Sequence, residues 1–454
     1  MKLVLIGGGG SRTPVLYRGL IDRNGALGAT ELVLYDTDPA ALRRAELVLD
    51  GIDETVTEAG GPIVAHRATT DLDDALEGAA FALSAIRVGG FEARRHDEAI
   101  PLAHGVCGQE TVGPGGFALA LRNIPALTAL AEAVTRRCPD AWVVNLTNPA
   151  GMVTQALAPL LGDRVVGVCD SPLALGRGVA DALGLDPNGL HLSYAGLNHL
   201  GWLTAAWHDG RDVLPELLAS PEAKQVEEVR LFGADEVRES GRIPNEYLYF
   251  YERAEEAIAN VRRGGVSRGE FLLAEQRALA ARLDAARSPA EALAVYSTSL
   301  RMRNDTYMSV EADRAREDAQ EDVFASTGGY HEMALSVVEA IARDRPTVLI
   351  VNTRNRGALD FLADDDVVEV PAVVRGAGVF PIAATVLPGD RALVERVKTY
   401  ERMTLDALER RSARIARAAL ASHPLVPDDD AARAILGDYR ARFPDLDARL
   451  GGQR

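Results

Sequence analysis

The sequence predicts an α/β protein in which a Rossmann-like, doubly wound parallel sheet is followed by a mixed α+β C-terminal domain. A short apolar run leads into a glycine cluster and a helical segment at the N-terminus. Strand-like and helix-like segments alternate to about residue 175, and charged amphipathic helices take over beyond Leu190. With a length of 454 residues, we therefore expect two domains, over residues 1–175 and 176–454.

The N-terminus has the order of a dinucleotide-binding turn. Residues 2–6 are apolar, four glycines follow, and a helical pattern starts at Pro14. Glycine lets the backbone approach a pyrophosphate, and the free N–H groups of a helix start favour an anion. A second apolar run, residues 32–35, ends in an acid that can bind ribose hydroxyls, which favours NAD over NADP. The alternative is an ordinary βα turn with a surface aspartate. The residues assigned to the cofactor here are Gly7, Gly9, Ser11 and Asp36.

The remaining elements follow from apolar runs and helical periodicity. In the first half we expect strands at 80–86, 141–144 and 164–168 and a helix around 118–137. In the second half we expect helices between about 222 and 320, strands at 347–351 and 367–374, and helices from 391 to 450.

Composition restricts the partners of the protein. A net charge of −17 argues against nucleic acid or an anionic membrane surface, so an anionic substrate needs a local basic pocket. No apolar run reaches the length of a membrane span. The three cysteines, Cys107, Cys138 and Cys169, do not form a disulfide framework, which indicates a reducing, cytoplasmic compartment.

Several polar motifs follow predicted strands, where ligands bind in open α/β sheets. Asn145 and Asn148 flank one strand end, although asparagines there often only cap the next helix. A glycine-dense loop over residues 105–116 carries Gln-Glu-Thr, and glycine in such loops lets the backbone come close to a ligand. The charge run 94–98 has a solvated helix face as its default interpretation.

Taken together, the motifs of residues 1 to about 390 identify a family that the chain resembles, the NAD-dependent glycoside hydrolases of family 4, or phospho-glycosidases. The motifs are Ile6-Gly-Gly-Gly-Gly-Ser-Arg-Thr-Pro14, Arg87-Val-Gly-Gly90, Gly108-Gln-Glu-Thr111, Asn145-Leu-Thr-Asn-Pro149, Cys169-Asp170, Gly196-Leu-Asn-His199 and Ile243-Pro-Asn-Glu-Tyr247.

The resemblance implies a redox, elimination and addition mechanism that uses NAD+ and a divalent metal, manganese. Cys169 and His199 match the metal ligands, Tyr247 matches the base that removes the proton at C2, and Asp170 matches a general acid. NAD+ takes a hydride from C3, the aglycone leaves, water adds and the hydride returns, so no flanking carboxylate pair is needed. Without the resemblance, the cysteine, histidine and tyrosine are each interpreted as core residues.

The resemblance also implies a phosphorylated sugar substrate. Arg94 and Arg268 match arginines that bind the 6-phosphate, Asn148 and Asn198 match sugar contacts, and Asn145 is assigned to the cofactor. The second domain, residues 176–454, is expected to be the metal- and substrate-binding domain. We expect a homo-oligomer, a dimer or a tetramer, as in the family.

The sequence leaves the substrate and the class of protein open. Cys-Asp at 169–170 is typical of 6-phospho-α-glucosidases, whereas the Gln-Glu-Thr and Ser267-Arg-Gly-Glu270 segments favour a 6-phospho-β-glucosidase, which we predict. Two other classes share the fold: an NAD-dependent 2-hydroxy acid dehydrogenase, which needs no metal thiolate, and a nucleotide-binding sensor, which needs no Tyr247.

Overall fold

The computed structural model describes residues 1–305 and 329–452. Within these residues every strand belongs to one continuous sheet. Helices cover both faces of its N-terminal part, and the C-terminal strands extend the same sheet. The predicted fold class is confirmed.

The first six strands are parallel and lie in the order β3-β2-β1-β4-β5-β6. The short apolar runs of five of these strands are buried, as expected for a doubly wound sheet, whereas the edge strand β3 is polar and only partly buried. The strands are β1 Lys2–Ile6, β2 Glu31–Tyr35, β3 Ala65–Thr69, β4 Ala79–Ser84, β5 Trp142–Asn145 and β6 Val165–Gly167. The helices between and after them are α1 Thr13–Leu27, α2 Pro39–Glu58, α3 Leu72–Leu76, α4 Gly90–Ala103, α5 Gly113–Arg137, α6 Ala150–Leu161 and α7 Ser171–Leu183.

The later strands continue the sheet in antiparallel pairings beyond β6. The strands are β7 His191–Leu197, β8 Leu200–His208, β9 Arg211–Asp212, β10 Ile243–Pro244, β11 Thr347–Arg354, β12 Val367–Arg375 and β13 Gly378–Pro381. Because β11 pairs with β6, the sheet crosses the expected boundary at residue 175 without a break. The division into 1–175 and 176–454 stays a prediction.

The hairpin β7–β8 has no counterpart among the predicted strands. Its residues nearest the turn are buried on both sides, so the sequence lacks the alternation of apolar and polar residues that marks a half-exposed strand. The register pairs Leu197 with Leu200, which leaves Asn198 and His199 as the two residues of the turn. The hairpin thus carries one of the predicted metal ligands at its tip.

Helices make up most of the second half of the described chain. They are α8 Leu214–Ala219, α9 Glu227–Phe232, α10 Ala234–Ser240, α11 Tyr249–Glu252, α12 Ala254–Gly264, α13 Arg268–Ala285, α14 Pro289–Asp305, α15 Tyr330–Ala342, α16 Pro388–Glu409, α17 Ala413–Ser422, α18 Asp429–Arg442 and α19 Pro444–Arg449. Short 3-10 turns span Pro187–Gly189, Pro221–Gln225 and Glu246–Leu248. The part of the expected helical region between 306 and 320 lies outside the described residues.

One helix, α5, is long and apolar enough to cross a membrane by length and composition alone. Most of its apolar window is buried in the protein, however, and the core helix of a soluble protein passes the same test. The observation is therefore weak evidence for a membrane span. All three cysteines are free and buried, as predicted.

Candidate active site

The glycine-rich turn between β1 and α1 folds as the sequence predicts. Gly7 has φ +91°, and its N–H and that of Gly8 donate to the carbonyl of Tyr35 at 2.9 and 2.8 Å. A Cβ on Gly8 would lie 2.7 Å from Leu34 Cβ, so only glycine fits there. The carboxylate of Asp36 accepts a hydrogen bond from Gly9 N at 3.0 Å, which ties the turn to the end of β2. The strand, turn, helix and acid thus come together as a dinucleotide site requires.

Ser11, at the end of this turn, faces helix α14. Arg303 Nη1 donates to Ser11 Oγ at 2.9 Å, and Tyr296 OH donates to the carbonyl of Ser11 at 2.6 Å. The turn is therefore in contact with a helix that the sequence does not associate with the cofactor.

Asn145 is fully buried at the end of β5 and has its side chain engaged inside the protein. Its Oδ1 accepts from Ser84 Oγ at 2.8 Å and Thr147 N at 3.1 Å. Its Nδ2 donates to the carbonyl of Thr147 at 3.1 Å. These bonds shape the turn after β5, and the assignment of Asn145 to the cofactor stays a prediction.

The two asparagines predicted to contact the sugar lie together at the start of α6. Ala150 N donates to Asn148 Oδ1 at 3.3 Å and to Asn198 Oδ1 at 3.1 Å. The turn of the β7–β8 hairpin is therefore joined to the end of β5, although about fifty residues separate them in sequence.

Cys169 follows β6 and is buried, with 3% of its surface exposed. Its thiol donates to Ser171 Oγ at 3.6 Å, and that hydroxyl donates to Glu246 Oε1 at 2.9 Å. Burial, followed by the negative charges of Glu369 and Asp170, raises the pKa of the Cys169 thiol well above its usual value. Without a cation beside it the thiol is therefore neutral, and a coordinated divalent metal would favour the thiolate.

His199 occupies the second position of the hairpin turn with φ +63°, a backbone conformation that non-glycine residues rarely adopt. Its ring stacks on that of Tyr247, with centroids 3.6 Å apart and planes 6° from parallel. Burial lowers the pKa of His199 to about 3, so the imidazole is neutral and able to ligate a metal. Since Tyr247 adjoins Glu246, the predicted base and both predicted metal ligands belong to one cluster.

The chemistry of the two predicted ligands, a thiol and an imidazole, suits a divalent transition metal, and their assignment stays a prediction. His199 Nδ1 is 3.1 Å from Thr111 Oγ1, and over the described ranges Nε2 has no hydrogen-bond partner. A ligating histidine is normally held in this way through its other nitrogen. Within the same ranges no third His, Cys, Asp or Glu completes a ligand set. Such a site keeps positions open for substrate oxygens or water.

Glu369, which the sequence did not predict, connects the hairpin β7–β8 to strand β11 next to this cluster. It is 1% exposed and accepts from Asn198 Nδ2 at 3.1 Å, Asn352 Nδ2 at 2.8 Å and Tyr194 OH at 3.3 Å. Burial raises the pKa of Glu369 to about 7, partly offset by these hydrogen bonds. A single acid within the apolar run Val367–Val374 was the available signal, because a buried strand rarely carries a charge without a partner.

A second cluster, the arginine cluster, surrounds Glu110 of the glycine-dense loop. Arg94 Nη1 lies 2.7 Å from Glu110 Oε1, and Arg87 also pairs with this carboxylate. Although burial pushes the pKa of Glu110 upward, the charges of these arginines bring it below its usual value. The members of the arginine cluster are Arg12, Arg87, Arg94, Arg268 and Arg303.

The guanidinium groups of the arginine cluster lie close enough to shift the pKa of one of their members. Burial, followed by the positive charges of Arg12, Arg94 and Arg268, lowers the pKa of Arg303 to about 9. Arg268 Nη2 also donates to the carbonyl of Arg303 at 2.9 Å. Several cations around one carboxylate leave an excess of positive charge, which favours an anion such as phosphate.

The charge run 94–98 is not a solvated face. Arg94, Asp97 and Glu98 are 8%, 0% and 3% exposed, which corrects the default interpretation of this segment. Glu98 accepts from Arg94 Nε at 2.8 Å and from Gly269 N at 2.6 Å. It thereby fixes the start of α13 beside α4, which brings the two predicted phosphate ligands, Arg94 and Arg268, together.

Comparison with known proteins gives this arrangement a family. The sequence model of the family 4 glycosyl hydrolases matches residues 2–185, and that of the family 4 glycosyl hydrolase C-terminal domain matches residues 194–426. The chain belongs to family 4 of the glycosyl hydrolases. The resemblance found in the sequence is thereby confirmed, and the assignment to a glycoside hydrolase is preferred over the dehydrogenase and the sensor.

Family 4 relatives with both anomeric preferences align along the whole chain. A probable 6-phospho-beta-glucosidase of Bacillus subtilis is 33% identical over 458 residues, with 98% of each chain covered. A 6-phospho-alpha-glucosidase of Lacticaseibacillus paracasei is 28% identical, with 96% of each chain covered. The 6-phospho-beta glucosidase of Thermotoga maritima, solved with manganese, NAD+ and glucose-6-phosphate, has a TM-score of 0.81 at 26% identity and covers 98% of this chain and 99% of its own.

Proposed function

We propose that the protein hydrolyses 6-phospho-β-glucosides by redox, elimination and addition steps, using NAD+ and a divalent metal, Mn2+. The observation that carries the proposal is the contact between two unlike clusters in a family 4 fold: Thr111, which follows Glu110 of the arginine cluster, lies with its Oγ1 3.1 Å from His199 Nδ1. One holds a neutral thiol, an imidazole and a phenol, and the other is the arginine cluster. Arg303 belongs to the second cluster and contacts Ser11 of the glycine-rich turn, which links the phosphate side to the cofactor side.

Each group in the first cluster has a role suited to its chemistry. Cys169 and His199 hold the metal, because a soft thiolate and an imidazole suit a transition metal. When bound, NAD+ takes up and returns a hydride at C3 of the sugar, and the metal polarises the neighbouring sugar oxygens. Tyr247 accepts the proton from C2, and its ring is fixed for that task by the stack on His199. Asp170 donates a proton to the leaving oxygen.

The remaining assignments concern binding. Arg94 and Arg268 bind the 6-phosphate, which reconciles an anionic substrate with a protein of net charge −17. Asn148 and Asn198 orient the sugar hydroxyls beside the metal. Gly7, Gly9, Ser11 and Asp36 bind NAD+, and Asn145 supports that site from the end of β5.

A 6-phospho-α-glucosidase is the second candidate, favoured by Asp170 and by the alpha-specific relatives. The names of the more similar relatives favour the β-linkage. A panel of α- and β-nitrophenyl glucosides, with and without a 6-phosphate, assayed with NAD+ and Mn2+, decides between them. We expect turnover of the β-linked 6-phosphate. Preference for the α-linked compound would replace the proposal with the second candidate.

The reaction course is tested in deuterated water. Removal and return of the C2 proton by Tyr247 exchanges it with solvent, so the product should carry deuterium at C2. Product without deuterium there would contradict elimination and would indicate direct displacement at C1.

We also propose that the protein is a cytoplasmic homo-oligomer, a dimer or a tetramer. Three free thiols support a reducing compartment. Sedimentation of the purified protein measures the assembly, and a monomer at micromolar concentration would contradict it.

A further inference from the structure

We propose that Gln109 and Thr111 are positioning residues that hold His199 as the Nδ1–H tautomer, and that this keeps the lone pair of Nε2 available to the metal. The tautomer follows from hydrogen bonds of the protein alone. Its consequence for metal binding rests on the proposed function, because that function places the metal on His199.

Two backbone donors fix the orientation of the Gln109 amide. Its side-chain oxygen lies 2.5 Å from Thr111 N and 2.6 Å from Val112 N. Both backbone groups carry a proton and can only donate, so the group that faces them must be the amide oxygen. The uncertainty that usually attaches to an amide flip is removed by these two donors.

The Gln109 amide oxygen in turn fixes the proton of the Thr111 hydroxyl. Thr111 Oγ1 lies 3.0 Å from Gln109 Oε1, which is an acceptor only. Two oxygen atoms this close repel each other unless a proton lies between them, and the amide oxygen has no proton to give. The single hydroxyl proton therefore points at Gln109, whose oxygen also accepts the two backbone N–H groups. What Thr111 Oγ1 offers on its other side is a lone pair.

The Thr111 hydroxyl fixes the tautomer of the His199 imidazole. His199 Nδ1 lies 3.1 Å from Thr111 Oγ1, whose proton is already donated to Gln109. Nδ1 must then donate, and in a neutral imidazole the other nitrogen, Nε2, carries the lone pair. The bonds run in one direction, from His199 through Thr111 to Gln109.

The glycine-dense loop that carries Gln109 and Thr111 is held in place by close backbone contacts. A Cβ on Gly115 would lie 2.0 Å from the carbonyl of Gln109, and one on Gly116 would lie 2.4 Å from the carbonyl of Thr111. The loop is thus packed against the start of α5 at a distance that only glycine permits. On the other side, the stack on Tyr247 restrains the plane of the His199 ring.

Loss of the hydrogen bond between Thr111 and His199 should lower the affinity for the metal without removing a ligand. Replacing a group that orients a ligating histidine typically lowers metal affinity by about 10- to 100-fold. The effect is expected for Thr111→Val, which keeps the shape of the side chain and removes the acceptor. Thr111→Ser retains the hydroxyl and should bind as the wild type does.

Nitrogen NMR tests the tautomer directly. The full chain is labelled with 15N-histidine and kept free of metal, and His199→Asn identifies the signals of His199. We expect a protonated Nδ1 and an unprotonated Nε2 in the wild type, and a change of the tautomer ratio in Thr111→Val. A wild-type ring protonated on Nε2 overturns the inference, and this outcome does not depend on the folding of Thr111→Val.

Mn2+ titration followed by the electron paramagnetic resonance of the free ion tests the consequence. We expect about 10- to 100-fold weaker binding for Thr111→Val. Gln109→Glu, whose carboxylate accepts the same bonds, should bind at least as tightly as the wild type. Equal affinity of Thr111→Val and wild type overturns the positioning role.

The same titration separates this inference from the proposed function. If the wild type binds no Mn2+, or if Cys169→Ser and His199→Asn bind it unchanged, the proposed metal site is wrong. The NMR result then still confirms or refutes the tautomer.

Discussion

The two clusters of the site differ in how they carry charge. In the cluster of Cys169, His199 and Tyr247, burial leaves the thiol and the imidazole neutral. The arginine cluster is charged in the free protein, and Glu110 is ionised within it. The neutral cluster becomes charged only when a bound cation favours the thiolate. The arginine cluster carries its positive charge before any anion binds. In the proposed function, this difference means that the arginine cluster anchors one end of the substrate and the other cluster activates the other end.

The sharpest test of this comparison is removal of the metal. Chelation, with reductant present to protect Cys169, should lower turnover by roughly 10³-fold or more, because the polarisation of the sugar oxygens is worth several kcal/mol. Calorimetric binding of glucose-6-phosphate should weaken far less, since the arginine cluster is unchanged. Full activity after chelation, or a loss that added Mn2+ does not restore, would contradict the role given to the metal.

Tyr247→Phe should lower kcat by about 10²- to 10⁴-fold, the usual contribution of a general base. The ring still stacks on His199, so Mn2+ affinity should be retained. Tyr249→Phe is the matched control, because Tyr249 is a buried tyrosine of the same segment that packs edge-on against Phe232 and Phe250. Steady-state rates with a nitrophenyl 6-phosphoglucoside measure both. Equal loss in the two variants would mean that a phenol is required for packing rather than for proton transfer.

Arg268→Gln tests the anchored end. Loss of one charge-assisted bond to phosphate should raise KM for the 6-phosphorylated substrate by about 10- to 100-fold. A substrate without phosphate should be unaffected. Arg277→Gln is a control on the same helix, since the Arg277 side chain is 71% exposed. An equal effect on both substrates would show that Arg268 supports the fold of the site and does not recognise phosphate.

Sequence predicted the parts of the site that local patterns or the family motifs mark. The glycine turn and Asp36 follow from a strand, a turn and a helix in succession, and Cys169, His199 and Tyr247 follow from motif resemblance. Each of these signals lies within a few residues of chain. The parallel sheet was predictable for the same reason, because alternation of strands and helices is a local pattern.

The parts that sequence could not predict depend on distant contacts. Glu369 reaches the site through the register of β12 with its neighbours, where it pairs with Asn352 on one side and Gly196 on the other. Arg303 contacts Ser11 from 292 residues away. The hairpin β7–β8 has consecutive buried residues near its turn. Its sequence therefore lacks the two-residue alternation of apolar and polar side chains that would distinguish a strand from a buried helix. Only tertiary packing determines these positions.

The smallest expected effect concerns a buried acid on the neutral side of the site. Burial, followed by the charge of Glu246, raises the pKa of Glu228 to about 8, and Glu246 in turn accepts a bond from Ser171 beside Cys169. A raised pKa means that the folded protein binds the proton more tightly than the unfolded chain, so stability falls as pH rises from about 4.5 to about 8. Glu228→Gln removes this loss.

The variant should therefore match the wild type near pH 4.5 and exceed it above pH 8 by on the order of 1–3 kcal/mol. Thermal unfolding across this pH range measures the difference, and Glu222→Gln, at an exposed position, is the control. Activity should change little, because Glu228 contacts neither cluster directly. A Tm difference that is constant with pH would show that Glu228 is ionised in the folded state. Burial would then keep only the Cys169 thiol and the His199 imidazole neutral in this part of the site.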